Sequence, residues 1–261
     1  MRLRRFESFN ILKLPTYAVW LARLFFLARD PFGILRHYAA KTSPSRIELR
    51  NGLTLILSDQ PHDVITFIVV FVKRDYGNIA KGSQIIDVGA NIGMFAVYAA
   101  QEGAGRIFCF EPNRDAFRTL EKNIAFNKLE KIVTPLNLAV AGTSGQTVAI
   151  PKASSPYNHT VAATAIDAAA DGYDMVETVS LADFMRDQGL RRVDLLKMDC
   201  EGAEYDIFPN LAPETIAAIR SIRMEVHGDM RQLLDSLQVN PFKLEHTDAN
   251  GDLWMTNRTP A

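Results

Sequence analysis

Four side chains near the end of this sequence could do acid–base chemistry together: Asp199, Glu201, Glu225 and His227. Asp199 closes a segment that reads as a buried strand, Val193–Met198, so it points toward a crevice at the strand's carboxyl end. Glu225 and His227 close a second such segment, Ile219–Val226. Their spacing of two puts both side chains on one side of that strand. An imidazole, with an ordinary pKa near 6.5, suits a general base, and Glu201, in the turn after Asp199, suits a base or a metal ligand. The same four groups could instead gather Mg²⁺, which takes oxygen ligands and keeps several waters. Plainer roles stay open: Asp199 as the cap of a following helix, His227 as a packing residue. Glu204 reads as an acid in a helix first turn, where the macrodipole favours it, and Lys197 as the partner of a carboxylate. His37, His62, His159 and His246 read as surface or packing residues, with a substrate contact open only for His159.

A second constellation lies upstream. The strand-like run Gln84–Val88 leads into Asp87-Val88-Gly89-Ala90-Asn91-Ile92-Gly93, and Glu111 ends the next strand, 22 residues after Gly89. Glycines there let backbone approach a ligand, and an acid at that distance accepts hydrogen bonds from ribose hydroxyls. A dinucleotide site would want G-x-G-x-x-G, whose backbone N–H groups hold a pyrophosphate. Here the glycine spacing is G-x-x-x-G, and Asp87 would repel phosphate. S-adenosylmethionine (SAM) has no phosphate and carries a positive sulfonium and amino group, so it fits these acids better than a nicotinamide cofactor does.

The elements that must hold these residues alternate. Strands are expected at 84–88, 106–110, 132–138, 193–198 and 219–226, with helices at 93–100, 115–126, 181–188, 203–208 and 230–237 between or after them. Repeated alternation means an α/β fold with a parallel sheet covered by helices on both faces. Phe242–His246 and Leu253–Thr256 close the chain as an antiparallel pair. Asn51-Gly52 between apolar runs signals a hairpin, and Val64–Val72 reads as a helix capped by Asp63. Residues 152–175 read as a long mobile loop over the site.

The chain has 261 residues and 48% hydrophobic composition, enough for a sizeable core. Its net charge of −1 argues against a general nucleic-acid surface. Two cysteines, Cys109 and Cys200, without a CxxC pattern, indicate neither a disulfide scaffold nor structural zinc, and a cytoplasmic setting is the simplest expectation. Residues 1–45 read as a basic amphipathic helical extension and residues 46–261 as the catalytic domain. Residues 1–50 hold ten Lys and Arg against three acids. The apolar run Leu14–Ala28 is interrupted by Arg23 and is shorter than the roughly 20 residues of a bilayer span. Two readings follow for residues 14–40: a lid or homodimer contact, or an interfacial helix touching a membrane or a lipid-linked substrate.

In sum these motifs resemble the FkbM-type SAM-dependent methyltransferases. The resemblance runs through Ile85–Gly93, Phe110-Glu111-Pro112-Asn113, Asn123 and Asn127, Asn137-Leu138-Ala139-Val140 with Gly145, Leu195–Glu204 and Met224-Glu225-Val226-His227. It covers roughly residues 50 to 230. It implies a Rossmann-like seven-stranded class I methyltransferase sheet ending in an antiparallel hairpin, and methyl transfer to a hydroxyl on a sugar or natural-product-like acceptor. By position it places Asp87, Gly89, Asn91 and Gly93 around the methionine part of SAM and Glu111 at the ribose. Asn137 and Ala139 fall where the family contacts adenine, Asn137 having a strand-end turn as its plain alternative. Asn113 either reaches the adenine edge or caps the next helix, and Asp199 contacts the SAM amino group or the acceptor. Competing functions are a nicotinamide-dependent oxidoreductase, an RNA methyltransferase using the basic arm, and a SAM-binding module without catalysis.

Overall fold

The computed structural model describes residues 14–152, 161–162, 172–237, 242–247 and 251–258. Two helices come first, α1 (Leu14–Leu27) and α2 (Pro31–Ala40). Asp30 caps α2 by accepting from Gly33 N at 2.8 Å, and Pro31 occupies the first turn, where its missing N–H costs nothing. Arg23, the charge that breaks the apolar run, turns inward and donates to the Val72 carbonyl. Leu24, Ala28 and Ile34 join the main core, while Val19, Leu21, Phe26 and Phe32 face outward. No helix among the described residues is long and apolar enough to cross a membrane.

The Asn51-Gly52 hairpin forms, pairing β1 (Arg46–Glu48) with β2 (Thr54–Ile56) antiparallel. Next, α3 (His62–Phe67) runs straight into a π-helical turn, Ile68–Lys73. The expected helix is therefore present, but Asp63 does not cap it. Asp63 lies inside the first turn and its Oδ2 accepts from the Ser58 N–H at 2.6 Å and the Ser58 hydroxyl at 2.7 Å.

The α/β part then unfolds in the expected order: β3 (Gln84–Val88), α4 (Met94–Gln101), β4 (Arg106–Phe110), α5 (Arg114–Phe126) and β5 (Val133–Leu136). Four short strands follow, β6 (Ala139–Val140), β7 (Thr147–Pro151), β8 (Val161–Ala162) and β9 (Tyr173–Val179), and they form a separate four-stranded sheet in the order β6-β9-β7-β8. This corrects the expectation of an unstructured loop over 152–175: Tyr173 already pairs with Pro151, and Val161 with Ala149. The rest of that stretch, 153–160 and 163–171, lies outside the described residues, as does His159. The chain continues through α6 (Leu181–Asp187), β10 (Leu195–Met198), α7 (Glu204–Ile207), a 3-10 turn at Phe208–Asn210, α8 (Pro213–Ala218), β11 (Ser221–Glu225), α9 (Met230–Leu237), β12 (Phe242–Thr247) and β13 (Asp252–Asn257).

The central sheet has seven strands in the order β12-β13-β11-β10-β3-β4-β5. Strands β11, β10, β3, β4 and β5 are parallel; β13 pairs antiparallel with β11, and β12 pairs antiparallel with β13 at the edge. This is the Rossmann-like class I methyltransferase arrangement. Alternation along the strands splits the core in two. Ile85, Ile107 and Leu195 face one apolar cluster, with α1 to α5, and Ile86, Phe108, Leu196 and Met224 face the other, with α6 and α9. The strand order reverses at β3, with β4 on one side and β10 on the other. The crevice of such a sheet opens there, at the strands' carboxyl ends.

Candidate active site

The turn after β3 is built so that two strand ends can touch. Gly89 has φ +74°, and a Cβ there would lie 1.9 Å from the Asp199 carbonyl oxygen, so only glycine lets β3 and β10 end side by side. Every N–H of this turn for which a bond is seen is used internally. Gly89 and Ala90 both donate to the Phe110 carbonyl at 3.0 Å, Gly93 donates to Ala90 O, and Asn91 N donates to Glu111 Oε2 at 2.7 Å. Asn91 itself sits at φ +50°, a left-handed conformation that costs a non-glycine residue about 1 kcal/mol or more.

Three of the expected cofactor residues, Asp87, Gly93 and Asn137, do not line the cleft. Asp87 is fully buried (0% exposed) beneath the turn, with its Oδ1 3.0 Å from Lys197 Nζ. The register of β3 against β10 sets Lys197 opposite Asp87, and Lys197 also donates to Gly89 O at 2.8 Å. Burial disfavours the ammonium, yet Asp87, with Tyr76 and Asp199, outweighs it and raises the Lys197 pKa. Burial also raises the Asp87 carboxyl, against the pull of Lys197, and the 3.0 Å contact anchors the turn from below. Gly93, with φ +85°, leaves room for Leu120 Cδ1, which a Cβ would approach to 2.5 Å. It packs α4 against α5 rather than lining the cleft.

Glu111, at the end of β4, does face the cleft. Its two oxygens are fixed by backbone donors, Oε2 by Asn91 and Oε1 by Asn113 at 2.8 Å, which leaves lone pairs on each for a ligand. Burial pushes its carboxyl up to about 7, against the pull of those two N–H donors. Asn113 lines the cleft, but its side-chain oxygen caps α5, accepting from Asp115 N and Ala116 N, and its amide donates to Pro151 O. Of its two expected roles the structure shows the cap. Asn137 lies off the cleft wall and clamps the strand end, donating to Glu111 O at 2.8 Å and Pro112 O at 3.0 Å. Ala139 does line the cleft.

The opposite wall comes from β10 and β11. Asp199 continues β10, its N–H donating to Val88 O at 3.0 Å, and its side chain caps no helix. Glu201 has φ +52° and is followed by Gly202 at φ +103°, so the turn doubles back and returns Glu201 to the cleft. Burial raises the Glu201 carboxyl to about 7, with His227 opposing and Asp199 and Glu225 adding to the rise. His227 stands behind these two carboxylates, its side chain 5% exposed. Its Nε2 is 3.6 Å from Asp199 Oδ1, 3.6 Å from Glu201 Oε2 and 3.9 Å from Glu225 Oε1, and neither ring nitrogen makes a hydrogen bond. Glu225 is part of this cluster but does not reach the cleft. Glu204 is 1% exposed and structural: it accepts from Gly202 N and from His227 N, both within 2.9 Å.

The structure thus brings Asp199, Glu201 and His227 together, with one donor atom from each within 4.8 Å of the others. Glu225 is outside that trio, and a set containing an imidazole nitrogen is not the all-oxygen shell that Mg²⁺ prefers. The Mg²⁺ expectation gains no support.

A cleft of about 260 Å³ joins the two walls, bounded by Gly89, Asn91, Glu111 and Asn113 on one side and by Asp199 and Glu201 on the other. Its roof was not legible from the motifs: Ser58, Gln60, His62 and Asp63 line it, so His62 is a cleft residue rather than a surface one. Burial lowers the His62 pKa. Two asparagines on α5 place this roof. Asn123 accepts from Ile56 N at 2.6 Å and donates to Ile56 O and Ile92 O, and Asn127 accepts from Thr54 N and donates to Thr54 O. They mimic a neighbouring strand for β2 and hold it against the glycine turn.

Known proteins are similar to this chain. The family described as the methyltransferase FkbM domain matches residues 87–247. Methyltransferase sdnD of Sordaria araneosa is 27% identical over 178 residues, covering 58% of this chain and 69% of its own. The 31-O-demethyl-FK506 methyltransferase FkbM of Streptomyces tacrolimicus is 25% identical, covering 69% of this chain and 81% of its own. The hexuronic acid methyltransferase AglP of Haloferax volcanii is 25% identical, covering 64% of this chain and 66% of its own. The crystal structure of methyltransferase FkbM from Methylobacillus flagellatus KT aligns with TM-score 0.45 and 13% identity over 94% of this chain and 59% of that one. With its matched region holding both walls of the cleft, the chain belongs to the methyltransferase FkbM domain family.

Proposed function

We propose that this chain binds SAM between Glu111 and the glycine turn and transfers its methyl group to a hydroxyl oxygen of a small sugar-like or natural-product-like acceptor. The observation that carries this reading is one cleft with two kinds of carboxylate: Glu111, fixed by two backbone donors at one end, and Asp199 and Glu201 at the other. SAM supplies a methyl group already activated by its sulfonium. What the chain must do is hold the nucleoside, align the acceptor and take its proton.

Glu111 suits the ribose diol, with lone pairs left on both oxygens. Val88, Phe110 and Ile150 give the apolar wall that a purine face needs. Asp199 and Glu201 face the acceptor and receive the proton that a hydroxyl must lose before it attacks carbon. His227 touches both carboxylates from behind and positions them. The names of AglP and of the FK506 enzyme, a hexuronic acid and a 31-O position, support an oxygen on a sugar or polyol as the acceptor. We assign these tasks to residues 46–261, with residues 1–45 as an extension.

A nicotinamide cofactor fits less well. A dinucleotide site presents the backbone donors of its glycine turn to the pyrophosphate, yet the N–H groups of Gly89, Ala90, Asn91 and Gly93 in the turn before α4 already have partners within the protein. The test is incubation with methyl-labelled SAM and a panel of uronic acids, glycosides and polyol macrocycles, read by mass spectrometry. A new methyl ether on one of them is expected. Label found on nitrogen or carbon instead would sink the oxygen-acceptor reading.

A further inference from the structure

We infer that Asp199, Glu201 and His227 form a binding site for a divalent cation of the zinc class, with three protein ligands and a fourth position open to the cleft. The side chain of His227 is buried to 95%, its Nε2 has no hydrogen-bond partner, and that nitrogen is aimed between two carboxylates. A neutral buried imidazole normally satisfies its nitrogens, because leaving a buried polar atom unpaired costs about 1–3 kcal/mol. Here the nearest acceptors stand 3.6 Å away on both sides, too far for a hydrogen bond. They are at a distance that a metal would bridge. Ligands about 2.1 Å from a tetrahedral ion are separated by ~3.4 Å, whereas an octahedral ion would draw them to ~3.0 Å. Both separations from His227 Nε2, 3.6 Å, exceed the two spacings and are nearer the tetrahedral one, and all three donor atoms lie within 4.8 Å of one another.

The donor chemistry agrees. One imidazole nitrogen with two carboxylate oxygens is a mixed set that suits Zn²⁺ and its Co²⁺ surrogate better than Mg²⁺. Asp199 and Glu201 line the cleft while His227 does not, so the ion's open side faces the ligand space. Glu204 supports the site from outside it: Oε1 accepts from His227 N at 2.8 Å and lies 3.8 Å from Nδ1. An acceptor hydroxyl taking the fourth position would become more acidic, and since Asp199 and Glu201 each offer one oxygen to the ion, the second oxygen of either carboxylate would receive its proton. The cation's role toward an acceptor rests on the methyl-transfer reading above; its binding does not.

The experiment uses the full chain, stripped with a chelator and dialysed. Zn²⁺ is titrated against a chromophoric competitor, Co²⁺ is followed by its visible absorption, and SAM is titrated separately by calorimetry. One equivalent of Zn²⁺ and an intense, tetrahedral-type Co²⁺ spectrum are expected. His227→Gln and Asp199→Asn should each weaken Zn²⁺ more than about tenfold, and Cys200→Ser should leave it unchanged. Asp199 is one-third exposed, so its variant tests the site even where the His227 variant folds poorly. A folded wild type that binds SAM but no stoichiometric Zn²⁺ overturns the site and leaves methyl transfer standing. Zn²⁺ binding without SAM binding supports the site and removes the methyl-transfer reading. Unchanged affinity in both ligand variants, or loss of binding in Cys200→Ser, overturns the site as well.

Discussion

Replacing Lys197 by methionine should damage the fold more than any loss of surface charge could. Asp87 is 0% exposed and Lys197 3%, and their charges face each other at 3.0 Å. At an effective dielectric of ~20 the attraction is about 5–6 kcal/mol. Methionine fills most of the lysine stem's volume and no longer has an ammonium to desolvate, so part of that is recovered. Among the described residues, the buried carboxylate that remains has the weak Cys109 thiol at 4.0 Å as a partner. Breaking a buried pair in this way costs about 3–5 kcal/mol, a large share of the 5–15 kcal/mol that holds a typical domain. Gly89 O also loses its lysine donor, so SAM affinity should fall in whatever protein remains folded. The assay is urea unfolding followed by tryptophan fluorescence, for Lys197→Met, Asp87→Asn and the double variant. Each single change should cost at least about 3 kcal/mol, and the double variant should cost clearly less than their sum, because it leaves no buried charge. Singles that each cost under about 1 kcal/mol, or a double variant that is simply additive, would refute this account of the pair.

Two further perturbations test other parts of the site. Asp63, in the roof, has its carboxyl raised by burial to about 6 from 3.8. Its folded pKa lies above its unfolded one, so its contribution to stability is full below pH 4 and is lost as pH rises through 6. A single oxygen accepts both Ser58 bonds, and asparagine can keep them. Asp63→Asn should therefore match the wild type near pH 4 and exceed it by about 3 kcal/mol above pH 7. Parallel melting-temperature profiles across pH would count against this. Gly89→Ala would force a methyl against the Asp199 carbonyl at φ +74°. A loss of at least about 3 kcal/mol and of SAM binding is expected, and an unchanged melting curve with intact binding would show that the two strand ends are not as close as described.

The sequence carried the parts of this structure that local physics writes. Strand–helix alternation gave β3, β4, β10 and β11 within a residue or two, and Asn51-Gly52 gave the hairpin. Strand ends put Asp199 and His227 near one another because both segments run parallel in the same sheet. Roles that depend on partners far away in the chain were not legible. Asp87 looked like a cleft acid because it adjoins the glycine turn, but Lys197, 110 residues on, draws it into the core. Gly93 serves Leu120, and Asn137 serves the backbone of Glu111 and Pro112. The roof at Ser58–Asp63 depends on Asn123 and Asn127 reaching back 67 and 73 residues to β2, an arrangement with no local signature. Strand β9 was missed because Tyr173–Val179 mixes Asp, Glu and Thr among its apolar residues, which hid its alternation.

The central claim is that Glu111 and the glycine turn hold SAM. Calorimetric titration of SAM and of S-adenosylhomocysteine into the wild type and Glu111→Ala tests it most directly. On the proposed reading, losing Glu111 would remove a charge-assisted contact to the ribose, and it frees the Asn91 and Asn113 N–H groups that now donate to its carboxylate. The account predicts saturable binding by the wild type and an affinity lower by about tenfold or more in the variant. A folded wild type that binds neither compound, or a variant that binds both as tightly, would contradict it.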